Sequence, residues 1–191
     1  MKKTIGTLVP LSALWTKSNK KATFDAGRLF LHWLHATKQN AWQVLPLYQT
    51  HLEHNSATHH VPSPYRGYGA GLNPEFLSPK YAQKNPLSKE LAQFIREQKL
   101  WLPDYALFCA LRDYFKTDNW TMWETKIRAR TPDAMLHWSK KLHVEKSKYI
   151  LEQWRLHQDF LETRALAKKM HIELIGDLSI YLPLESPLVW V

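Results

Sequence analysis

Ile172-Glu-Leu-Ile-Gly-Asp177 is the stretch on which the fold turns. Ile172 to Gly176 reads as one short strand of continuous apolar character, the pattern of strands covered on both faces. Asp177 then follows at the strand end, where a turn-forming or ligand-binding carboxylate is expected. Directly upstream, Pro132 to Met170 carries a helical pattern, with a break expected near His143 and with Ile150, Trp154, His157, Leu161 and Ala165 on one face. Nearer the start, Thr4 to Val9 reads as a strand ended by Pro10. Asp25 to Lys38 reads as a helix with Leu29, Phe30, Trp33, Leu34 and Thr37 along one side. Ala41 to Leu47 reads as a second apolar strand, stopped by Pro46. Trp33, Trp42, Trp138 and Trp154 lie in apolar stripes and are expected in the core. Strand, helix, strand, helices, strand is the order of an α/β protein with a parallel sheet. In such sheets the working residues gather at the carboxyl ends of the strands, here the loops after Leu47 and after Gly176.

Between the second and third strands lies a long insertion. Tyr48 to Tyr81 is rich in proline and glycine and is expected to be irregular, and a loop of that length in a compact protein is usually functional. Two helices follow. The first has Asn85 as cap and Pro86 in its first turn, with Leu87, Leu91, Phe94 and Ile95 inward. The second runs from Leu102 to Lys116 and buries Tyr105, Phe108, Leu111 and Phe115.

The 191 residues have a formal net charge of +9, with 26 Lys and Arg against 17 Asp and Glu. That balance invites a nucleic-acid reading, but no nucleic-acid module and no lysine-arginine run among aromatics accompanies it, so no nucleic-acid partner is expected. No apolar stretch approaches the ~20 residues of a membrane span, and no membrane partner is expected. The start of the chain reads as a strand rather than a signal peptide, which suits a cytoplasmic location. The single cysteine, Cys109, excludes an internal disulfide and is expected to be a buried small hydrophobe. His51, His54, His59 and His60 lack the further ligands a tetrahedral metal site needs, so a polar loop is expected there, with no metal and no cofactor.

Several segments together resemble the 4-α-glucanotransferases, or amylomaltases. Gly6-Thr-Leu-Val-Pro-Leu-Ser-Ala-Leu14 is similar to that family's first strand and Trp42-Gln-Val-Leu-Pro-Leu47 to its second. Ser63-Pro-Tyr65, Asn73-Pro74 and Asp104-Tyr-Ala-Leu-Phe108 are similar to the motifs that follow. Ile172-Glu-Leu-Ile-Gly-Asp-Leu-Ser-Ile-Tyr181, with Ser186 and Trp190, is similar to its third-strand signature.

What the resemblance implies is an incomplete (β/α)8 TIM barrel: its first three strands, with a helical insertion between strands two and three. Residues 1–191 then form the N-terminal part of a catalytic barrel, and 48–145 are its irregular and helical insertion. The family transfers α-1,4-linked glucan segments between maltooligosaccharides with retention, using two carboxyl groups about 5–5.5 Å apart across the scissile bond. The resemblance places sugar contacts at Ser63, Tyr65 and Asp177. The family's nucleophile and acid/base lie after its fourth and fifth strands, past the segments this chain resembles, so no catalytic residue is assigned and the chain alone is expected not to catalyse transfer. A non-catalytic glucan-binding module, completed by a separately encoded C-terminal half, is the alternative. The open sheet and apolar end are expected to favour self-association.

Overall fold

The computed structural model describes residues 4–17, 20–53, 59–61 and 63–191. In chain order the elements are β1 (Gly6–Leu8), α1 (Phe24–Ala36), β2 (Ala41–Gln43), β3 (Tyr48–Thr50), β4 (Gly67–Leu72), α2 (Pro79–Ala82), α3 (Ser88–Glu97), α4 (Leu102–Phe115), α5 (Thr125–Arg128), α6 (Pro132–Lys141), α7 (His143–Lys169), β5 (Glu173–Ile175) and α8 (Pro187–Trp190). The helical stretch before β5 breaks at Leu142, as its pattern predicts. The chain divides into two units: Met1–Leu47, Leu72–Lys84 and Arg155–Leu178 form the first, and Tyr48–Gly71, Asn85–Trp154 and Ser179–Val191 the second.

The first unit is built on a parallel sheet in the order β1-β2-β5. The register sets Thr7, Trp42 and Leu174 side by side on one face, and Leu8, Gln43 and Ile175 on the other. On the first face Trp42 is buried and Leu174 packs with it, among Leu31 and Leu34 of α1 and Leu156 and Ala167 of α7. Trp42 also donates its indole N–H to the Val9 carbonyl at 2.9 Å. Gly6 is required where it stands, because a Cβ there would come within 2.5 Å of the Ala41 carbonyl oxygen. This is the α/β architecture of an incomplete barrel: three parallel strands, helices on one face, and no ring closed among the described residues.

Three expectations change here. The third strand is not covered on both faces: Glu173 is exposed and Ile175 is 40% exposed, while Leu8 of β1 and Ile5 beside it are more than half exposed. Among the described residues, Leu8 and Ile175 stay open to solvent, so apolar composition alone does not bury them. Second, α1 buries Phe24, Gly27, Arg28, Leu31 and Leu34, whereas Leu29 and Trp33 are more than half and half exposed. Third, the C-terminal half of α7 buries Leu156, Asp159, Thr163 and Ala167 rather than Leu161 and Ala165.

One network explains the last two shifts. Arg28 Nη1 donates to Asp159 Oδ1 at 2.7 Å and to Thr163 Oγ1 at 3.0 Å, while Nη2 donates to Asp25 and to Ser78 Oγ. The second oxygen of Asp159 accepts the Ser78 N–H at 2.7 Å. Burial disfavours the Arg28 charge, but its bonds to Asp159 and Asp25 outweigh that and hold its pKa above the ordinary value. A buried charge is tolerated only when paired and hydrogen-bonded. This network meets that condition, and it turns both helices toward their polar residues.

The second unit has the larger aromatic core. Tyr105, Phe108 and Leu111 of α4 pack with Tyr68, Trp123, Trp138 and Trp190, and Phe94, Leu102 and Trp154 form a satellite cluster. Tyr48–Tyr81 is more ordered than its composition suggests, since it contains the paired strands β3 and β4. Gly71 of β4 sits at φ +73°, and a Cβ there would lie 2.4 Å from the Tyr105 ring. Only glycine meets both demands.

Candidate functional site

Ser63 and Tyr65 stand in the connection between β3 and β4, in the second unit. Arg66 N–H donates to the Ser63 carbonyl at 3.1 Å, closing a four-residue turn with Pro64 and Tyr65 at its centre. Proline suits the second position of such a turn because its φ is already set. Tyr65 is 48% exposed at the turn. Gly67 follows at the start of β4, where a Cβ would crowd Tyr48 Cβ at 3.0 Å.

The base of this connection is clamped by a residue that sequence reasoning missed. Asp118 is buried, and one of its oxygens accepts from the Leu52 N–H at 2.6 Å and from the Tyr68 hydroxyl at 2.9 Å. Burial pushes the Tyr68 phenol well above its ordinary range, so it remains a donor. Ser186 Oγ donates to the Tyr68 carbonyl at 2.6 Å and accepts from the Leu188 N–H. Ser186, which caps α8, thus ties that helix to the strand that follows the Tyr65 turn. Next to it, Tyr105 donates to Gln49 Oε1 at 2.8 Å and accepts from Gln153 at 3.2 Å. No local pattern marks Asp118. Its role depends on contacts with Leu52 and Tyr68, both at least fifty residues away.

Asp177 lies in the first unit, two residues past the carboxyl end of β5, and is half-buried. A Cβ on the preceding Gly176 would meet nothing within 4 Å. Asp177 therefore sits where α/β sheets place their working residues. Ser63 and Tyr65 belong to the second unit and Asp177 to the first, and each position is described within its own unit.

The remaining motif residues are structural. Asn73 caps a short 3-10 turn by accepting from Glu75 N–H at 3.1 Å. Asp104, at the start of α4, pairs with Arg130 at 2.9 Å. Trp190 is buried against Phe108 and Trp123, with the Arg130 guanidinium 4.4 Å from its ring centroid. Cys109 is buried, and burial pushes its thiol up to about 12. His51 and His60 bond the Leu52 and Thr50 carbonyls, and His54 lies outside the described residues. Among the described residues, no group of three or more His, Cys, Asp or Glu is arranged to hold a metal ion. No helix among them is long and apolar enough to cross a membrane.

Parallel strands in the order β1-β2-β5, with helices packed on one face and an acid past the carboxyl end of β5, define part of an α/β barrel protein. Residues 75–191 match the model of glycoside hydrolase family 77, 4-alpha-glucanotransferase, and the chain belongs to that family. It is 26% identical to the 4-alpha-glucanotransferase of Synechocystis over 87% of this chain and 40% of that protein. It is 28% identical to the Thermus thermophilus enzyme over 85% of this chain and 39% of that one. The chain thus spans about two fifths of the length of these curated relatives. Among solved structures, an amylomaltase from Streptococcus agalactiae in complex with acarbose matches with a TM-score of 0.85 at 20% identity, over 100% of this chain and 46% of that one. The Corynebacterium glutamicum amylomaltase matches with a TM-score of 0.69 at 12% identity, over 96% of this chain and 31% of that one.

Proposed function

We propose that this chain is the N-terminal part of a 4-alpha-glucanotransferase that moves α-1,4-glucan segments between maltooligosaccharides. The observation that supports this best is the family match itself, which runs through β5 and Asp177. In this reading Tyr65 stacks on or hydrogen-bonds a glucosyl ring, Ser63 contributes a hydroxyl, and Asp177 accepts from sugar hydroxyls. The reaction proceeds with retention. One carboxylate attacks the anomeric carbon, a second carboxyl protonates the leaving oxygen, and a sugar acceptor then takes the glycosyl group in place of water. Both carboxyls come from the remaining β/α units of the barrel, carried on the same polypeptide or on another. This chain supplies a wall that binds and orients the glucan.

The test is complementation. The chain, mixed or fused with the complementary C-terminal portion of the Thermus thermophilus relative, is assayed for disproportionation of maltotriose by glucose release. Activity that needs both parts and falls with Tyr65→Ala and Asp177→Ala supports the proposal. Transfer by the purified chain alone refutes the division of labour, and unchanged activity in both variants refutes the site. Glucan binding by the chain without activity in any combination would favour a non-catalytic binding module.

A further inference from the structure

Within the second unit, the Ser63–Arg66 turn is anchored through the backbone of one residue. His51 N–H donates to the Arg66 carbonyl at 3.1 Å, and the His51 carbonyl accepts from Val61 N–H at 3.0 Å. Both ends of the segment that carries Tyr65 therefore rest on His51. Leu52 comes next and bridges to His60 in antiparallel fashion. The ladder bonds around that bridge run through His51 and Glu53, as an antiparallel pair alternates, and so leave the Leu52 N–H to Asp118 at 2.6 Å. The Asp118 oxygen that receives it also accepts from the hydroxyl of Tyr68, two residues past Arg66. One buried carboxylate oxygen thus joins the two strand segments from which the turn projects.

The carboxylate is itself fixed in place. Helix α4 ends at Lys116 in the left-handed conformation, φ +59°. The Thr117 carbonyl accepts from the Trp123 indole at 3.1 Å, and the Thr117 hydroxyl accepts from Asn119 N–H at 3.1 Å. Asn119 in turn caps the 3-10 turn Trp120–Met122 by accepting from Thr121 N–H at 3.2 Å. The residues on either side of Asp118 are therefore tied down before its side chain makes any bond. Tyr68 is held at three points: its hydroxyl by Asp118, its carbonyl by Ser186 Oγ, and its ring by an edge contact with Phe108 at 5.5 Å between centroids. A shift of either strand segment would leave a buried carboxylate or a buried N–H without its partner, which the interior opposes.

We propose that Asp118 is a positioning residue for the Ser63–Tyr65 turn: by joining Leu52 to Tyr68 it sets the spacing of the segments beneath the turn, and with it the placement of Tyr65. That Tyr65 meets a glucosyl ring rests on the glucan-acting reading above, whereas the clamp rests on these bonds alone. Pre-organisation of this kind strengthens binding by removing the ordering that the ligand would otherwise have to impose. A turn that holds the productive geometry for only a fraction of the time binds more weakly by that same fraction.

The test uses the full chain labelled with ¹⁵N, with maltoheptaose as the probe. Backbone order parameters at Ser63, Tyr65 and Arg66 should be about 0.85 in the unaltered chain and fall below about 0.6 in Asp118→Ala. Those of α4 and α6 should stay unchanged. With the turn productive about one tenth of the time, Asp118→Ala should weaken maltoheptaose binding about tenfold. Asp118→Asn keeps an oxygen that can accept from both donors and should bind within about twofold of the unaltered chain. Tyr68→Phe breaks one of the two bonds and keeps the ring against Phe108, so it should give a smaller loss of order at the same three residues and about threefold weaker binding. It decides the matter if Asp118→Ala does not fold. Unchanged order and affinity in Tyr68→Phe overturn the proposal. So does a loss of order spread equally over α4 and α6, the mark of a purely structural role, or an Asp118→Asn variant as weak as Asp118→Ala. Binding that is lost in Tyr65→Ala yet indifferent to Asp118 also overturns it, while leaving the proposed function standing. An unaltered chain that ignores maltoheptaose, with turn order still governed by Asp118, refutes the sugar contact at Tyr65 and supports the positioning role.

Discussion

Replacing Asp159 by Asn removes one charge from the centre of the first unit and keeps the shape of the side chain. Asp159 is fully buried, and its two oxygens have separate duties: Oδ1 accepts from Arg28 at 2.7 Å and Oδ2 from the Ser78 N–H at 2.7 Å. Asparagine offers a single acceptor oxygen, so its amide must face one of these donors. An unsatisfied buried donor costs about 1–3 kcal/mol, and removing one partner of a buried ion pair costs about 3–5 kcal/mol. Arg28 keeps Asp25, the Thr163 hydroxyl and the Asp159 backbone carbonyl, which places the net loss at the low end, about 3 kcal/mol. With a urea m-value of about 2 kcal/mol/M, the midpoint followed by far-UV circular dichroism should fall by about 1.5 M. The double variant Arg28→Met with Asp159→Leu removes both charges and should be milder than either single change. A shift for Asp159→Asn below about 0.3 M, or a double variant whose loss equals the sum of its parts, would refute the reasoning.

Other outcomes follow from single features. Leu8→Lys with Ile175→Lys, on the open face of the sheet, should reduce self-association in sedimentation velocity without altering the unfolding midpoint, because both side chains are already solvent-exposed. Gly71→Ala should destabilise the second unit by about 2–4 kcal/mol in thermal or urea unfolding, since positive φ and the Tyr105 ring both oppose a Cβ. Burial and the bond to Glu162 raise the Tyr81 pKa from 10.0 to about 12, so folding retains a proton that the unfolded chain loses first. The corresponding stability is complete below pH 10 and is lost as pH rises through about 12, an alkaline decline that Tyr81→Phe should flatten. Cys109, buried with its thiol raised to about 12, should react with a thiol reagent only as the chain unfolds, at a rate that tracks urea concentration.

Much of the architecture was legible in local patterns. β1, β2 and β5 fall inside the three apolar runs bounded by Pro10, Pro46 and Asp177, and the break in the long helix falls at Leu142, beside His143. The readings of burial failed where buried polar groups set the faces. The expected core stripes of α1 and α7 included Leu29, Trp33, Leu161 and Ala165, whereas the buried faces carry the polar Arg28, Asp159 and Thr163. β3 and β4 were hidden because Gly67, Gly69 and Gly71 read as loop, whereas close packing against Tyr105, Leu182 and Leu188 calls for glycine at the last two of these positions. The proposed sugar contacts at Ser63, Tyr65 and Asp177 rest on ordered short motifs, whereas nothing near Asp118 in sequence announces its contact with Tyr68.

The sequence by itself determined the family, the order of β1, α1, β2 and β5, and the carboxyl-end position of Asp177. Those features rest on local propensity and short-range pattern, which neighbouring residues encode. Only the tertiary structure decided which face each helix buries, why Asp118 and Ser186 hold the strand behind the Tyr65 turn, and that Trp33 is half exposed rather than in the core. These outcomes depend on groups brought together from far apart in the chain. A buried charge finds its partner there, or the helix turns it to water, and that balance appears only in three dimensions.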